Sequence, residues 1–250
     1  MQISPDSQIL FLLPAGPLGD LPVSATIVNS WIVMAVLVIG GRLATLRIGP
    51  ATPTSRWRLA VELFVEMIRD QIRSIGGDDP GRYLPFIGTL FLFTLVSNLL
   101  GVIPGFMSPT GSLSTTVALA LCVLVAVPLY GIADNGLLGY LHRYITPTPL
   151  MAPFNVIGEI SRTIALAVRL YGNVMSGTVV VAILLSVVPF FFPVVLQLLG
   201  LLTGVIQAYI FAVLAMVYIV SASGQEPGAA ESRPAADGDG PHDTSTERKR

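Results

Sequence analysis

The chain alternates long apolar runs with short polar segments. Apolar runs at 26–46, 84–103 and 113–133 each have about the 20 residues that a helix needs to cross the hydrocarbon core of a bilayer. Two further stretches, 154–188 and 194–221, are also apolar and are longer still. The pattern therefore predicts an all-α integral membrane protein with five transmembrane helices.

The fourth stretch is too long to stand upright in a membrane. It contains no proline between residues 154 and 188, and a continuous helix of that length would extend roughly 50 Å. Such excess length is absorbed by tilting or bending. Pro189 and Pro193 should end this helix, so the last stretch is predicted to return beside it as the second arm of a strongly tilted hairpin.

A different periodicity occupies the segment between the first two spans. Apolar side chains recur there at helical spacing, at Val61, Phe64, Val65, Ile68, Ile72 and Ile75. Charged side chains fall on another face of the same helix, at Arg58, Glu62, Glu66, Arg69 and Arg73. This pattern predicts an amphipathic surface helix. Contact with the inner membrane surface and contact with partner subunits explain it equally well.

Composition agrees with a membrane protein, since 53% of the 250 residues are hydrophobic and 12% are charged. Three regions are predicted: an outer N-terminal segment (1–25), a membrane domain (26–223) and a tail (224–250) too polar to order itself. The lone Cys122 and the isolated His142 and His242 lack the spacing of a metal site. We expect no metal, no cofactor and no nucleic-acid partner.

Basic residues predict the orientation of the chain. Seven arginines lie at the end of the first span or between it and the second: Arg42, Arg47, Arg56, Arg58, Arg69, Arg73 and Arg82. With five spans, Arg143 and the basic end of the chain fall on that same side. Because basic loops stay in the cytoplasm, the N-terminus is predicted to be outside and the C-terminus cytoplasmic.

Arg169 is the most informative single residue, because 56 residues without any charged side chain follow it. Arginine stays protonated in proteins, and placing it near a bilayer centre costs at least about 2.5 kcal/mol. The nearest acids in sequence, Glu159 and Asp134, would lie about 15 Å or more away. The counter-charge should therefore belong to another polypeptide, although snorkelling or pairing with Asp134 remains an alternative.

Other polar residues share a helix face with Arg169. Arg162, Arg169, Asn173 and Ser176 are spaced by seven, four and three residues, which aligns them within a few tens of degrees. Glu159 precedes Arg162 by three residues and is predicted to form a supporting charge pair with it.

Several stretches resemble the a subunit of F-type ATP synthases, in which an arginine sits within an RLxGN motif. They are PFNVIGEISRTIALAVRLYGNVMSG, RYLPFIGTLFLFTLVSNLLGVIPGF, SPTGSLSTTVALAL, RYITPTPLMAPFN and IQAYIFAVLAMVYI, in the family's order. The resemblance implies a stator channel subunit of the bacterial inner membrane. Its expected partners are a c-subunit ring, a b-subunit peripheral stalk, the remaining synthase subunits and lipid.

The resemblance also implies roles for individual residues. Arg169 would separate two half-channels and face the ring carboxylates, which makes it the essential residue. Asn173 and Gln207 match polar residues beside it, on the two arms of the hairpin. Asn98 matches an asparagine that either contributes to an aqueous path or bonds a neighbouring helix. Nucleotide chemistry would belong to other subunits.

The chain departs from the proton-carrying pattern of the family at two positions. Thr178 stands where a glutamate or histidine is common, and Gly200 stands where its histidine or glutamate partner on the last helix is common. The neutral oxygens of Asn173, Ser176 and Thr178 could line a path for Na⁺, because hard cations favour oxygen ligands. Water wires could equally carry protons, so both ions remain open.

Two other classes of protein compete with this interpretation. A self-contained secondary transporter would need its own binding site, built on a discontinuous helix with a matching acid. A scaffold protein would leave Arg169 and its polar face without a purpose.

Overall fold

The computed structural model describes residues 9–14, 20–46, 56–75, 79–103, 106–145, 151–187 and 192–223. Within these ranges the long helices are α1 (Ala25–Leu46), α2 (Arg56–Ile75), α3 (Pro80–Leu100), α4 (Leu113–Ile145), α5 (Met151–Val187) and α6 (Phe192–Ser223). All but α2 are long and apolar enough to span a membrane. The predicted five-span, all-α fold is confirmed, and the predicted tail (224–250) lies outside the described residues.

A small hairpin precedes the first span. Strands β1 (Ile9–Pro14) and β2 (Asp20–Ser24) pair antiparallel, and β2 runs directly into α1. The sequence analysis assigned no element to this N-terminal segment. The hairpin leaves the membrane domain itself entirely helical within the described ranges.

Helix α6 is the centre of the bundle. Buried residues occupy 44% of its membrane-length window, against 6% for those of α1 and α5. The largest fully buried apolar side chains include four from α6: Phe211, Met216, Ile219 and Val220. Because α3, α4 and α5 all pack on α6, this helix fixes the relative height of the other three.

Helix α3 begins with a conventional N-terminal cap. Asp79 Oδ1 accepts a hydrogen bond from the Gly81 amide at 3.1 Å, and Pro80 occupies the first turn, where its missing N–H costs nothing. Near its other end α3 approaches α6 closely. A Cβ on Gly204 would lie 3.1 Å from the Asn98 Cβ, a tight contact that a larger residue could make only if Asn98 shifted by a few tenths of an ångström.

Helix α4 extends well beyond the predicted run of 113–133, and this boundary is corrected. Gly136 has φ 72° and ψ 164°, so the helix kinks there and continues to Ile145. A side chain would disfavour that left-handed backbone. Asp134 and Asn135 ended the apolar run, but they are satisfied by tertiary partners. The Asn135 amide, for example, donates to the Ser223 carbonyl at 2.8 Å.

Helices α5 and α6 form the predicted hairpin, with ends within three residues of those predicted. With 37 residues, α5 is about 55 Å long. This length exceeds a hydrocarbon core of about 30 Å, so α5 must incline or project from the membrane. The Asn173 amide points at the Thr203 carbonyl across the hairpin, with 3.5 Å between Nδ2 and the oxygen.

The amphipathic helix α2 packs within its own chain. Ile72 and Ile75 are buried in the core cluster, and the Phe64 ring lies 5.9 Å from that of Phe91 on α3. The sequence predicted lipid or partner subunits as the neighbour of this apolar face. It did not predict that part of the face packs against the chain's own core. An amphipathic pattern shows that a helix has a covered face without identifying what covers it.

Candidate functional site around Arg169

Arg169 lies near the middle of α5, where the exposed side of the helix meets the side that packs in the bundle. Ile164 and Val168, which precede it on the exposed side, are each 56% exposed. Leu166, three residues before it, and Leu170 are buried in the core. Arg169 itself is exposed, and none of the described side chains forms an ion pair or hydrogen bond with its guanidinium.

Asp134 does not supply the counter-charge. Its Oδ1 is paired with the Arg82 guanidinium at the start of α3, and its Oδ2 accepts from the Tyr83 hydroxyl at 3.0 Å. Both carboxylate oxygens are thus engaged by α3. The alternative pairing of Asp134 with Arg169 is not found.

The register of the hairpin places Gln207 opposite Arg169. Asn173 on α5 faces Thr203 on α6. Because the helices run antiparallel, one turn back on α5 and one turn forward on α6 bring Arg169 and Gln207 to the same level. Gln207 is 7% exposed, and its Nε2 has no hydrogen-bond partner among the described residues.

A mixed polar and apolar cavity lies on one side of this level, toward the beginning of α5. It has a volume of about 260 Å³ and is formed between α4, α5 and α6. We name it the Glu159 cavity; its polar lining includes Asn155, Glu159, Arg162, Thr163 and Tyr218. The Arg162 guanidinium lies 5.6 Å from the centroid of the Tyr218 ring, a cation–π distance. The Glu159–Arg162 ion pair stays a prediction.

A larger cavity of about 560 Å³ lies on the other side, toward the end of α5. We name it the Asn173 cavity; its polar lining includes Asn98, Asn173, Thr178 and Gln197. The Thr178 hydroxyl donates to the Met175 carbonyl at 2.9 Å. This bond uses its hydrogen and leaves oxygen lone pairs for a ligand.

Asn98 has both of the predicted properties, since it bonds a neighbouring helix and also borders this cavity. Its Nδ2 donates to the Gly204 carbonyl at 2.8 Å, and its Oδ1 accepts from the Thr110 hydroxyl at 2.7 Å. The Ser108 hydroxyl lies 2.7 Å from Thr110 and 2.9 Å from the Ser97 carbonyl. The hydroxyl groups of Ser108 and Thr110 supply two hydrogens for these three oxygen–oxygen contacts. The two hydrogens can therefore be distributed among the contacts in more than one way.

Arg169 occupies the interval between the two cavities and lines neither. Thr163 is the last α5 residue of the Glu159 cavity, and Asn173 is the first of the Asn173 cavity. The interval of ten residues corresponds to about 15 Å of helix. A permanent positive charge between two polar cavities is an electrostatic barrier to any cation crossing directly from one to the other.

The predicted residues do not all converge. Asn98, Asn173 and Thr178 share one cavity, and Glu159 and Arg162 share the other. Ser176 is exposed, donates to the Asn173 carbonyl at 3.1 Å and lines neither cavity. Among the described residues, no group of three or more His, Cys, Asp or Glu could hold a metal ion.

Polar residues that were not predicted from the sequence line both cavities. Asn155 and Tyr218 line the Glu159 cavity, and Gln197 lines the Asn173 cavity. Gln197 is also tied to α3's end, since its Nε2 donates to the Val102 carbonyl at 2.9 Å. An available signal was that Gln197 and Gln207 are the two glutamines in the apolar stretch of α6.

A further hollow of about 630 Å³ lies between α3 and α4. Its lining is almost wholly apolar, from Leu121 to Ala133 on α4, with Arg82 at one end. It contains no residue of α5 or α6. This hollow is therefore separate from the polar cavities that flank Arg169.

Comparison with known proteins identifies close relatives. A family model described as ATP synthase A chain matches residues 27–220. ATP synthase subunit a 2 of Acaryochloris marina is 56% identical over 223 residues, which cover 89% of this chain and 93% of that relative. ATP synthase subunit a 1 of Crocosphaera subtropica is 55% identical over 88% of this chain and 94% of its own length. ATP synthase subunit a of Albidiferax ferrireducens is 53% identical over 91% and 96%, respectively.

Proposed function

The chain belongs to the ATP synthase A chain family, and from that premise we propose that it forms two half-channels for ions travelling to and from the carboxylates of a c-subunit ring. In this role it is the stator part of the membrane Fo sector. Ion flow through the half-channels turns the ring and is thereby coupled to ATP synthesis or hydrolysis. The other synthase subunits, including the b-subunit stalk, hold it in place.

One observation carries this proposal: two polar cavities flank Arg169, one toward each end of α5. A continuous polar path would let ions cross without turning anything. Two separated cavities instead require an ion to be carried between them. The charge of Arg169 in the interval favours a carrier that is negative as it passes.

The proposed cycle uses the permanent charge of Arg169. A ring carboxyl group releases its ion into one cavity and becomes a carboxylate as it approaches the guanidinium. The nearby positive charge lowers the pKa of that carboxyl and so promotes release. The carboxylate then passes Arg169 and takes up an ion from the other cavity. Because arginine does not deprotonate, it does not become an ion carrier itself.

The exposed face of α5 is the proposed ring-facing surface. It carries exposed apolar side chains such as Ile164 and Val168, with the exposed Arg169 at its edge. If lipid surrounded the unpaired guanidinium, the full free-energy cost of burying its charge would remain. A partner helix with a carboxylate at the same level removes much of that cost, which favours the ring as the neighbour.

The orientation of the two cavities follows from the distribution of basic residues. The Glu159 cavity lies toward the end of the bundle where α5 begins and α3 carries Arg82. By the positive-inside rule this end faces the cytoplasm. The Glu159 cavity would then open to the cytoplasm and the Asn173 cavity to the outside of the bacterial inner membrane.

The ion itself is proposed as H⁺ or Na⁺, and the two can be separated by experiment. Neutral oxygens from Asn173 and Thr178 line one cavity, and they suit either Na⁺ or a water wire. ATP hydrolysis and carbodiimide labelling of the ring carboxylate should be measured in the assembled synthase with and without Na⁺. Protection by Na⁺ would identify sodium, and indifference to it would identify protons.

The same purified material tests the role as a whole. The chain should copurify with a carboxylate-bearing c ring and should carry no ion flux when reconstituted without it. Transport by the chain alone would contradict the proposal and favour a self-contained transporter.

A further inference from the structure

On helices α3 and α6, three polar side-chain atoms are enclosed in the bundle without a hydrogen-bond partner among the described residues: Thr94 Oγ1, Ser97 Oγ and Gln207 Nε2. Thr94 and Ser97 are 0% exposed, and Gln207 is 7% exposed. Buried polar atoms almost always have a partner, because leaving one unsatisfied costs the whole desolvation penalty. Three such atoms on two adjoining helices therefore point to a shared partner.

The register of α3 against α6 places these three residues at one level of the bundle. Asn98 on α3 bonds Gly204 on α6. The helices run antiparallel, so one turn back along α3 reaches Thr94 while one turn forward along α6 reaches Gln207 and its neighbour Ala208. Ser97 is three residues from Thr94 and so shares its face.

Contacts further along the same two helices support this register. Phe91 on α3 and Ala212 on α6 line one small cavity, and they continue the spacing set by Asn98 and Gly204. In the hairpin, Gln207 also lies opposite Arg169, as the contact between Asn173 and Thr203 requires. The three enclosed atoms thus belong to the same layer of the bundle as Arg169.

We propose that Thr94, Ser97 and Gln207 hold buried water, which positions the Gln207 amide at the level of Arg169. Water fits the donor set, because it can accept from Nε2 and exchange hydrogen bonds with two hydroxyl groups. A metal cation does not fit, since the amide N–H donor would point at it. This inference rests on the proposed function of Arg169 and assigns positioning roles to Thr94 and Ser97.

The consequence for ion transport is that water buried inside the bundle holds the Gln207 amide in place. With Nε2 bound to water, rotation of the amide is restricted and its Oε1 keeps one orientation. A freely rotating amide would present a donor or an acceptor to that layer at random. Ordered water therefore keeps the surroundings of Arg169 constant while ring carboxylates pass.

The test uses the assembled synthase and hydroxyl-deleting variants of similar shape. Thr94→Val and Ser97→Ala should each leave the helices in place and remove water density that a high-resolution map of the parent complex shows between the three residues. ATP-driven ion pumping should fall roughly threefold or more, since displaced groups near a reacting centre are costly. Thr94→Ser restores the hydroxyl and should restore both water and pumping.

Thr89→Val is the matched control. Thr89 lies on the same helix, is exposed and bonds its own backbone at Phe86, with 2.9 Å between Oγ1 and the carbonyl oxygen. The same chemical change there should leave pumping at the parental rate. A double-mutant cycle between Thr94 and Gln207 adds a second measurement. If Thr94 acted only by packing, the effects of the two substitutions would add. In a Gln207→Ala background, Thr94→Val should have no further effect.

Three results would overturn the proposal: no water between these residues in the parent complex, parental pumping by Thr94→Val and Ser97→Ala, or additive effects of Thr94→Val and Gln207→Ala. These results leave the proposed function standing as long as Arg169→Ala abolishes coupled ion transport. Conversely, coupled transport by Arg169→Ala would reject the proposed function whatever the water density shows.

Discussion

Two arginines of this chain occupy opposite environments. Arg82 lies at the start of α3, 39% exposed at its side chain, and is paired with Asp134, whose side chain is 17% exposed. Arg169 lies near the middle of α5 among exposed apolar side chains, and the described part of the chain gives it no ion pair or hydrogen bond. One cation is satisfied within the fold and the other is not.

This difference separates structural charge from functional charge. The Arg82–Asp134 pair joins α3 to α4, and the Tyr83 hydroxyl bonds the same carboxylate. Such a pair makes no demand on a partner. An unpaired guanidinium on a membrane-length helix requires one, and under the proposed function that partner is a carboxylate of the moving ring.

The largest expected effect is that of Arg169→Ala. Removing the charge should abolish ion-driven ATP synthesis, a loss on the order of 100-fold or more as for other preorganised charges. The complex should still assemble, because no described contact depends on this guanidinium. Synthesis rate in reconstituted vesicles and copurification of the c ring measure the two outcomes.

Arg169→Lys is the control for charge alone. Lysine keeps the positive charge but loses the planar fork of donors, so it should remain strongly impaired. Normal ATP synthesis by Arg169→Ala would show that the charge has no essential role and would remove the contrast with Arg82.

An intermediate effect, on stability and not on coupling, is expected at Arg82, the arginine paired with Asp134. Arg82→Ala should lower the free energy of unfolding by about 1 kcal/mol, a value reduced because the ion pair is partly exposed. Less complex should assemble as a result. The complexes that do form should still couple ion flow to ATP synthesis. Thermal unfolding of the purified complex and ATP synthesis per assembled complex are the measurements. The exchange variant Arg82→Asp with Asp134→Arg should recover part of the stability. Loss of coupling at full assembly would contradict a structural role.

A smaller effect is expected at Arg162. Arg162→Ala should reduce ATP synthesis only several-fold, because this guanidinium already lies against the Tyr218 ring, a contact of order 1 kcal/mol. Equal losses in Arg162→Ala and Arg169→Ala would show that the two arginines share one role.

The smallest effect is expected at Tyr218 and tests whether its aromatic ring positions Arg162. Tyr218→Phe keeps the cation–π contact and should behave like the parent, whereas Tyr218→Leu should resemble Arg162→Ala. ATP synthesis in vesicles, normalised to assembled complex, compares them. If Phe and Leu have the same effect, the ring does not position Arg162.

The spans were predictable because a membrane imposes a length on apolar runs. α1 and the α5–α6 hairpin begin and end within three residues of the predictions. The end of α4 was not predictable in this way. Asp134 and Asn135 look like the end of a span in sequence, and only their partners on α3 and α6 allow the helix to continue past them.

The candidate site was only partly predictable. Arg169 is evident because a charge in a long uncharged stretch is rare, and Asn173 shares its helix face. The grouping of Asn98 with Asn173, and of Glu159 with Tyr218, depends on how the helices pack. Small hydroxyl residues such as Thr94 give no signal in sequence, since in helices they usually bond their own backbone.

The central claim is that Arg169 faces an acid delivered by another chain, and a density map of the assembled synthase tests it most directly. We predict that the guanidinium lies roughly 6 Å or less from a ring carboxylate, directly or through one water, with solvent in the Glu159 and Asn173 cavities and none continuous between them. A guanidinium surrounded by lipid, or locked to an acid of its own chain away from any ring, would contradict the account.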